Sequence, residues 1–332
     1  MMNSRDTKIS VQKFYPLLAI GLLSLAVAAA SQQPQVVKPP LLTELPRMTI
    51  VHHEVRPSQT DPKIHKPDFP HEAYVNAAGT GNLLFIYLPG TGGRADNVLK
   101  LLQTAAQAGY HAIAVDYRSS SSADNVCGND ANCYGPLRQA MLDGQHESTQ
   151  IDMDSNNCIL NRTTKLLSWL DAQYPNEHWG QFITNGQINW DKVTVSGLSQ
   201  GGGHAAMLAH LYKVHRVIMF SSVVDGVNGP NWRSAAWIAQ THATPRDRFY
   251  GFAEANDRRY FARIKVNWKT LALPGGLTSV DHMAPPYNNS HRLFSARSGR
   301  DPHAQVARDS LTPLDAQGNA VYEPVWRHLL GP

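Results

Sequence analysis

Leu83–Leu88 is an unbroken apolar run that stops at Pro89-Gly90, the pattern of a strand buried on both faces. Ala95–Ala108 then places apolar residues at Val98, Leu101, Leu102, Ala105 and Ala106, a helical stripe ending at Gly109. His111–Val115 follows as the next buried strand. The strand–helix–strand order then recurs. Ile159, Thr163, Leu166, Leu167 and Leu170 mark a helix that stops before Pro175, Lys192–Ser196 reads as a strand, Gln200–Tyr212 as a helix and Val214–Phe220 as a strand. Phe249–Phe252 is a further strand, Asp257–Leu273 mostly helix, Arg292–Ala296 a last strand and Tyr322–Leu330 a terminal helix. Weaker strand signals over Met48–Val55 and Glu72–Asn76 flank a segment with Pro57, Pro62, Pro67 and Pro70. Alternating buried strands and helices force a mainly parallel sheet covered on both faces. The expected fold is a single doubly wound α/β domain over 48–332, without internal repeats. Two long connections, about 117–158 and 221–247, are expected as lid or pocket-wall insertions over the sheet's carboxyl edge.

Ahead of this domain, Lys8 and Lys13 precede the apolar run Leu17–Ala30, which closes with Ala28-Ala29-Ala30 before Ser31. A basic start, a short apolar centre and a small-residue end predict a signal peptide over 1–30. The run is shorter than the ~20 residues a membrane span needs, which favours cleavage over an uncleaved anchor. No Cys follows it, so no lipid-modified N-terminus is expected. Residues 31–47, rich in Pro and Gln, read as a linker. The expectation is an exported protein, periplasmic or extracellular, with no stable membrane insertion after cleavage.

Composition changes this picture little. Hydrophobic residues at 42% and charged residues at 17% are those of a globular chain. The formal charge of +4 shrinks once 1–30 is removed, because Arg5, Lys8 and Lys13 leave with Asp6 and 27 basic and 25 acidic residues remain. With no basic run interleaved with aromatics, this balance argues against a nucleic-acid partner. Fifteen His residues are present, yet there is no HExxH and no paired CxxC, so neither a metal nor a cofactor is expected. Of the three cysteines, Cys127 and Cys133 flank the polar segment Gly128-Asn129-Asp130-Ala131-Asn132, which can loop out, so they are the first choice for a disulfide in an oxidising compartment. Cys158 is then left over. No oligomeric state is legible in the sequence.

The strongest chemical signal is Val193-Thr194-Val195-Ser196-Gly197-Leu198-Ser199-Gln200-Gly201-Gly202-Gly203, a G-x-S-x-G after a strand and before a helix. A nucleophile raised above a sheet needs a tight turn, and side chains two positions to either side would collide with neighbouring strands; Gly197 and Gly201 remove them. The helix start then favours an oxyanion. Leu88-Pro89-Gly90-Thr91-Gly92-Gly93 is a second glycine loop between strand and helix. It lacks the P-loop Lys and does not fit the dinucleotide pattern, so a phosphate cradle is disfavoured. In an oxyanion hole, one N–H would come from Gln200 and the other from this loop, with Thr91 the first choice and Gly92 the second.

Strand–PGTGG–helix, then strand–GLSQGG–helix, with an acid and a His following in order, resembles the α/β-hydrolase superfamily over roughly residues 80–330. The C-terminal part, with Ser290-His291-Arg292-Leu293, His303 and Tyr322-Glu323-Pro324-Val325-Trp326, is similar to secreted bacterial hydrolases of poorly assigned substrate. A departure is Pro89, which stands where a histidine often precedes the oxyanion glycine. The resemblance implies a Ser–acid–His triad in that order. Asp257 is the first choice of acid, beyond the strand Phe249–Phe252, with Glu254 and Asp225 as alternatives. His303 is the base if Arg292–Ala296 is the last strand; His282 takes its place if that strand is Lys269–Leu273, and His291 lies at the wrong edge. The implied activity is hydrolysis of a small-molecule carboxylic ester through an acyl-enzyme. A peptidase, an acyltransferase and a non-catalytic binding protein are the alternatives. Trp232, Trp237 and Trp268 are weighed both as pocket walls and as core.

Overall fold

Nine strands align in one sheet among the described residues of the computed structural model, which are 49–77, 81–145, 151 and 153–331. The chain divides into two units, Met1–Leu45 and Pro46–Pro332. The expected signal peptide 1–30, the linker 31–47 and the first strand's start at Met48 lie outside the described residues.

The strands are β1 (Ile50–Val55), β2 (His71–Asn76), β3 (Leu84–Leu88), β4 (His111–Ala114), β5 (Val193–Leu198), β6 (Arg216–Phe220), β7 (Phe249–Glu254), β8 (Leu277–Ser279) and β9 (Arg292–Ser295). Their spatial order is β1-β2-β4-β3-β5-β6-β7-β9-β8. β2 runs antiparallel to both its neighbours, whereas every pairing from β4 to β8 is parallel. The helices are α1 (Leu99–Gln107), α2 (Tyr134–Asp143), α3 (Ile159–Gln173), α4 (Gln200–Leu211), α5 (Phe261–Thr270) and α6 (Glu323–Leu330).

Along β3 the alternation of side chains sorts the core into two layers. Phe85 and Tyr87 join Leu101, Leu102 and Ala105 of α1 and Trp326 and Leu329 of α6 on one face. Leu84, Ile86 and Leu88 join Leu137 of α2, Leu166 of α3, Ala205 of α4 and Trp268 of α5 on the other. Burial on both faces is why β3 and most of β6 read as continuous apolar runs, and why even Thr194 and Ser196 of β5 are buried. The fold is therefore the doubly wound α/β architecture with helices on both faces.

Three expectations need correction. β8 has no counterpart in the sequence reading. Lys269–Leu273, weighed as the last strand, is the end of α5 and a turn, while β9 is the last strand of the chain. Asp257–Leu273 is helical only from Phe261, because the Asp257 carboxylate Oδ1 accepts the N–H groups of Arg259 and Tyr260 and holds residues 257–260 in a separate turn. The disulfide closes between Cys127 and Cys133, and Cys158 is a buried free thiol capping α3.

The chain visits β3, moves outward to β4 and returns to place β5 on the other side of β3. Loops leaving β3 and β5 thus diverge at the carboxyl edge, where an open α/β sheet has its crevice. The connection 117–158 carries the short helix Ala123–Cys127 and α2 over this edge, whereas 221–247 folds mostly beside α2 and α5.

Candidate active site

Ser199 sits at the turn from β5 to α4 with φ 54 and ψ −114, a conformation that costs a non-glycine residue roughly 1–3 kcal/mol. Its N–H donates to Phe220 O at 2.9 Å, and its carbonyl accepts from Gly203 N at 3.1 Å and Ser222 Oγ at 2.8 Å. The turn is possible because α4 starts hard against β3: a Cβ on Gly201 would lie 1.9 Å from Leu88 O, and one on Gly197 2.3 Å from the Gly201 carbonyl carbon.

The loop after β3 faces this elbow. Tyr117 Oη donates to Pro89 O at 2.7 Å and pins it. Thr91 Oγ1 donates to Gln200 Oε1 at 3.3 Å, and Ala123 N donates to the same oxygen at 2.9 Å, so the Gln200 side chain ties both loops together. The Gly92 N–H is spent on Ser119 O at 2.9 Å, which removes Gly92 as an oxyanion donor. The N–H groups of Thr91 and of Gln200, the first residue of α4, have no acceptor among the described residues.

His303 follows β9, and its Nδ1 donates to Asp257 Oδ2 at 2.6 Å. An ionised carboxylate only accepts, so the proton belongs on Nδ1 and Nε2 is left as the acceptor. Nε2 makes no hydrogen bond among the described residues, and none joins it to Ser199. Ser199 and His303 line the same cavity, of about 310 Å³, together with Thr91 and Gln200. Asp257 is buried, with Oδ1 fixed by two backbone N–H groups and Oδ2 facing the imidazole. The arrangement offers a hydroxyl on a strained turn, an acceptor nitrogen held by a carboxylate, and two N–H groups beside one cavity, the parts that acyl transfer requires.

The alternatives are placed elsewhere. Glu254 Oε2 accepts from Gln305 Nε2 at 2.8 Å and Tyr322 Oη at 3.1 Å, and burial raises its pKa. Asp225 gives both oxygens to Arg138, at 2.5 and 2.6 Å, and one also accepts from Trp237 Nε1. His282 is exposed and makes no side-chain hydrogen bond among the described residues. His291 stacks on Tyr250 at 3.8 Å, at the amino edge of β9. None of the three tryptophans lines the cavity: Trp268 donates to Ser222 O at 2.7 Å, Trp237 serves Asp225, and Trp232 covers Gly226.

Sequence reasoning missed Arg138. It is fully buried, and its Nη1 donates to Gln200 O at 3.1 Å. A Cβ on Gly203 would lie 2.2 Å from its Cζ, so the third glycine after the elbow serves this guanidinium. Its position in the polar connection 117–158 gave no signal. Tyr117, Tyr260, whose ring lies 4.7 Å from that of His303, and Arg308 in the cavity wall were missed as well.

No family model and no curated protein matches the chain. Among solved structures it is similar to a candidate dienelactone hydrolase from Klebsiella pneumoniae subsp. pneumoniae, at 14% identity and a TM-score of 0.39 over 78% of this chain and 89% of that one. It is also similar to TT1662 from Thermus thermophilus, at 14% identity and a TM-score of 0.39 over 77% of this chain and 92% of that one. The strand order, the antiparallel β2 and the elbow at the β3/β5 crevice are features of this chain itself, and by them it has the α/β-hydrolase fold.

Proposed function

We propose that the protein is a serine hydrolase that cleaves carboxylic esters through an acyl-enzyme. Ser199 is the nucleophile, His303 the base and Asp257 the acid that orients it. The reading is carried by one observation: His303 is anchored through Nδ1 to a buried carboxylate, its Nε2 has no hydrogen-bond partner among the described residues, and His303 and the strained Ser199 turn line one cavity. A serine hydroxyl is a weak nucleophile until an imidazole accepts its proton. As Ser199 Oγ bonds to the ester carbon, its proton passes to Nε2, and the carbonyl oxygen takes the electron pair. The Thr91 and Gln200 N–H groups stabilise that oxyanion, and such a donor is worth roughly 3–4 kcal/mol in a serine protease. Collapse breaks the bond to the alcohol, which leaves with the Nε2 proton. Water then repeats the sequence on the acyl-enzyme. No hydrogen bond joins Nε2 to Oγ in the free protein, and catalytic hydrogen bonds of this kind often tighten only in the substrate complex.

Export through a cleaved segment ending at Ala30 belongs to the same reading. A disulfide closes in the chain, and no helix among the described residues is long and apolar enough to cross a membrane. Replacing Ser199 with Ala tests the activity: hydrolysis of p-nitrophenyl acetate falls to background at an unchanged unfolding midpoint. Full turnover in that variant would overturn the assignment.

A further inference from the structure

Four arginines border the cavity beside Ser199: Arg94, Arg138, Arg259 and Arg308. Arg138 is spent on Asp225. Arg94 faces Asp96 at 3.4 Å and lies over the Phe69 ring. Arg259 and Arg308 differ. The Arg259 guanidinium has only the face of Tyr260, at 4.9 Å, and no ion pair or hydrogen bond among the described residues. The Arg308 side chain makes no ion pair or hydrogen bond among the described residues, although its Nε is buried. The cavity's two carboxylates do not answer them. Asp124 faces Arg263 at 3.4 Å and accepts from Tyr134 Oη, and one oxygen of Asp301 accepts the N–H groups of His303 and Ala304.

We infer that the substrate carries an anionic group, a carboxylate remote from the ester, and that Arg259 and Arg308 bind it. This deepens the serine-hydrolase reading and rests on it for turnover, though not for binding. A guanidinium presents its donors as a planar fork that matches a carboxylate's two oxygens. The Arg308 guanidinium is unpaired among the described residues, and a ligand carboxylate in the cavity supplies an acceptor. Low-dielectric walls strengthen the attraction. A cavity of about 310 Å³ is at the small end of ligand sites, so the substrate is a compact one, such as a monoester of a short dicarboxylic acid.

The test compares monoethyl glutarate with ethyl valerate, a neutral ester of the same acyl length, by pH-stat. The anionic ester is preferred about tenfold or more in kcat/KM, and the preference falls with added sodium chloride. Arg308→Gln and Arg259→Gln each reduce the ratio of the two kcat/KM values severalfold, mainly through KM of the anionic ester. Both side chains are at the surface of the cavity, so both variants fold. Glutarate binding to Ser199→Ala protein by calorimetry, weakened by adding Arg308→Gln, reads the site without turnover. Hydrolysis of ethyl valerate with no preference for the monoester and no glutarate binding would overturn the inference and leave the hydrolase reading intact. Glutarate binding without hydrolysis of any ester would do the reverse.

Discussion

Arg138 and Asp225 form a fully buried ion pair through two hydrogen bonds, directly beneath the first turn of α4. The pair joins α2 to the loop after β6, and Arg138 reaches on to Gln200 O, so the turn that bears the elbow rests on it. Asp225 was weighed as the triad acid; its oxygens face a guanidinium and an indole instead. Removing one member of a buried pair strands the other charge, which costs about 3–5 kcal/mol. Asp225→Ala is expected to lower the unfolding free energy by that amount in urea titrations. A double Arg138→Met, Asp225→Leu variant recovers most of the stability, because no charge is left unpaired.

The triad reading separates His303 from its rivals. His303→Ala lowers kcat for ester hydrolysis by about 10⁴-fold or more, and Asp257→Asn lowers it by about 10⁴-fold, the scale found for these roles in serine proteases. KM changes little in both. His282→Ala leaves kcat within twofold, because the side chain is exposed and bonded to nothing among the described residues.

Asp116 gives the protein a pH dependence of its own. Burial pushes its carboxyl up to about 7, and Oδ2 has no hydrogen-bond partner among the described residues. A folded pKa above the unfolded value of 3.8 means that the contribution to stability is complete below about pH 4 and is lost as pH rises through about 7. Between pH 5 and 8 this group removes on the order of 2 kcal/mol. Asp116→Asn abolishes that part of the decline in urea unfolding. Burial pushes His71 down to about 3 and holds His204 well below its ordinary range, so these two act oppositely and withdraw stability as pH falls below 6.5.

The disulfide ties the cavity wall. Cys127 ends the short helix whose residues Ala123–Asn125, with the capping Ser122, border the cavity, and Cys133 precedes α2. Closing so short a loop is worth about 2 kcal/mol by the chain-entropy argument. Cys127→Ser with Cys133→Ser is expected to lower the unfolding free energy by that much and to raise KM, with kcat less affected, since Ser199, His303 and Asp257 lie outside the tied segment.

What was legible in the sequence was local. β3 and most of β6 are apolar runs because both their faces are buried, and the elbow is visible because Gly197 and Gly201 must stand two residues from Ser199. Asp257 and Glu254 lie three residues apart in one strand–loop segment, and only the fold shows that one carboxylate reaches His303 while the other turns into the core toward Gln305 and Tyr322. β8 was not legible: three residues at the sheet edge, after Gly275-Gly276 and with Leu277 exposed, carry no alternation to detect. α2 was hidden because Gly135, Pro136 and the buried Arg138 interrupt its apolar stripe. Arg138 finds Asp225 across 87 residues, a separation no local pattern spans.

The central claim is that Ser199 is an activated nucleophile. Labelling of the purified protein with a fluorophosphonate, followed by peptide mapping, tests it most directly. The account predicts a single adduct on Ser199 that is lost in His303→Ala. A folded protein that takes up no label, or takes it up at another residue, would contradict it.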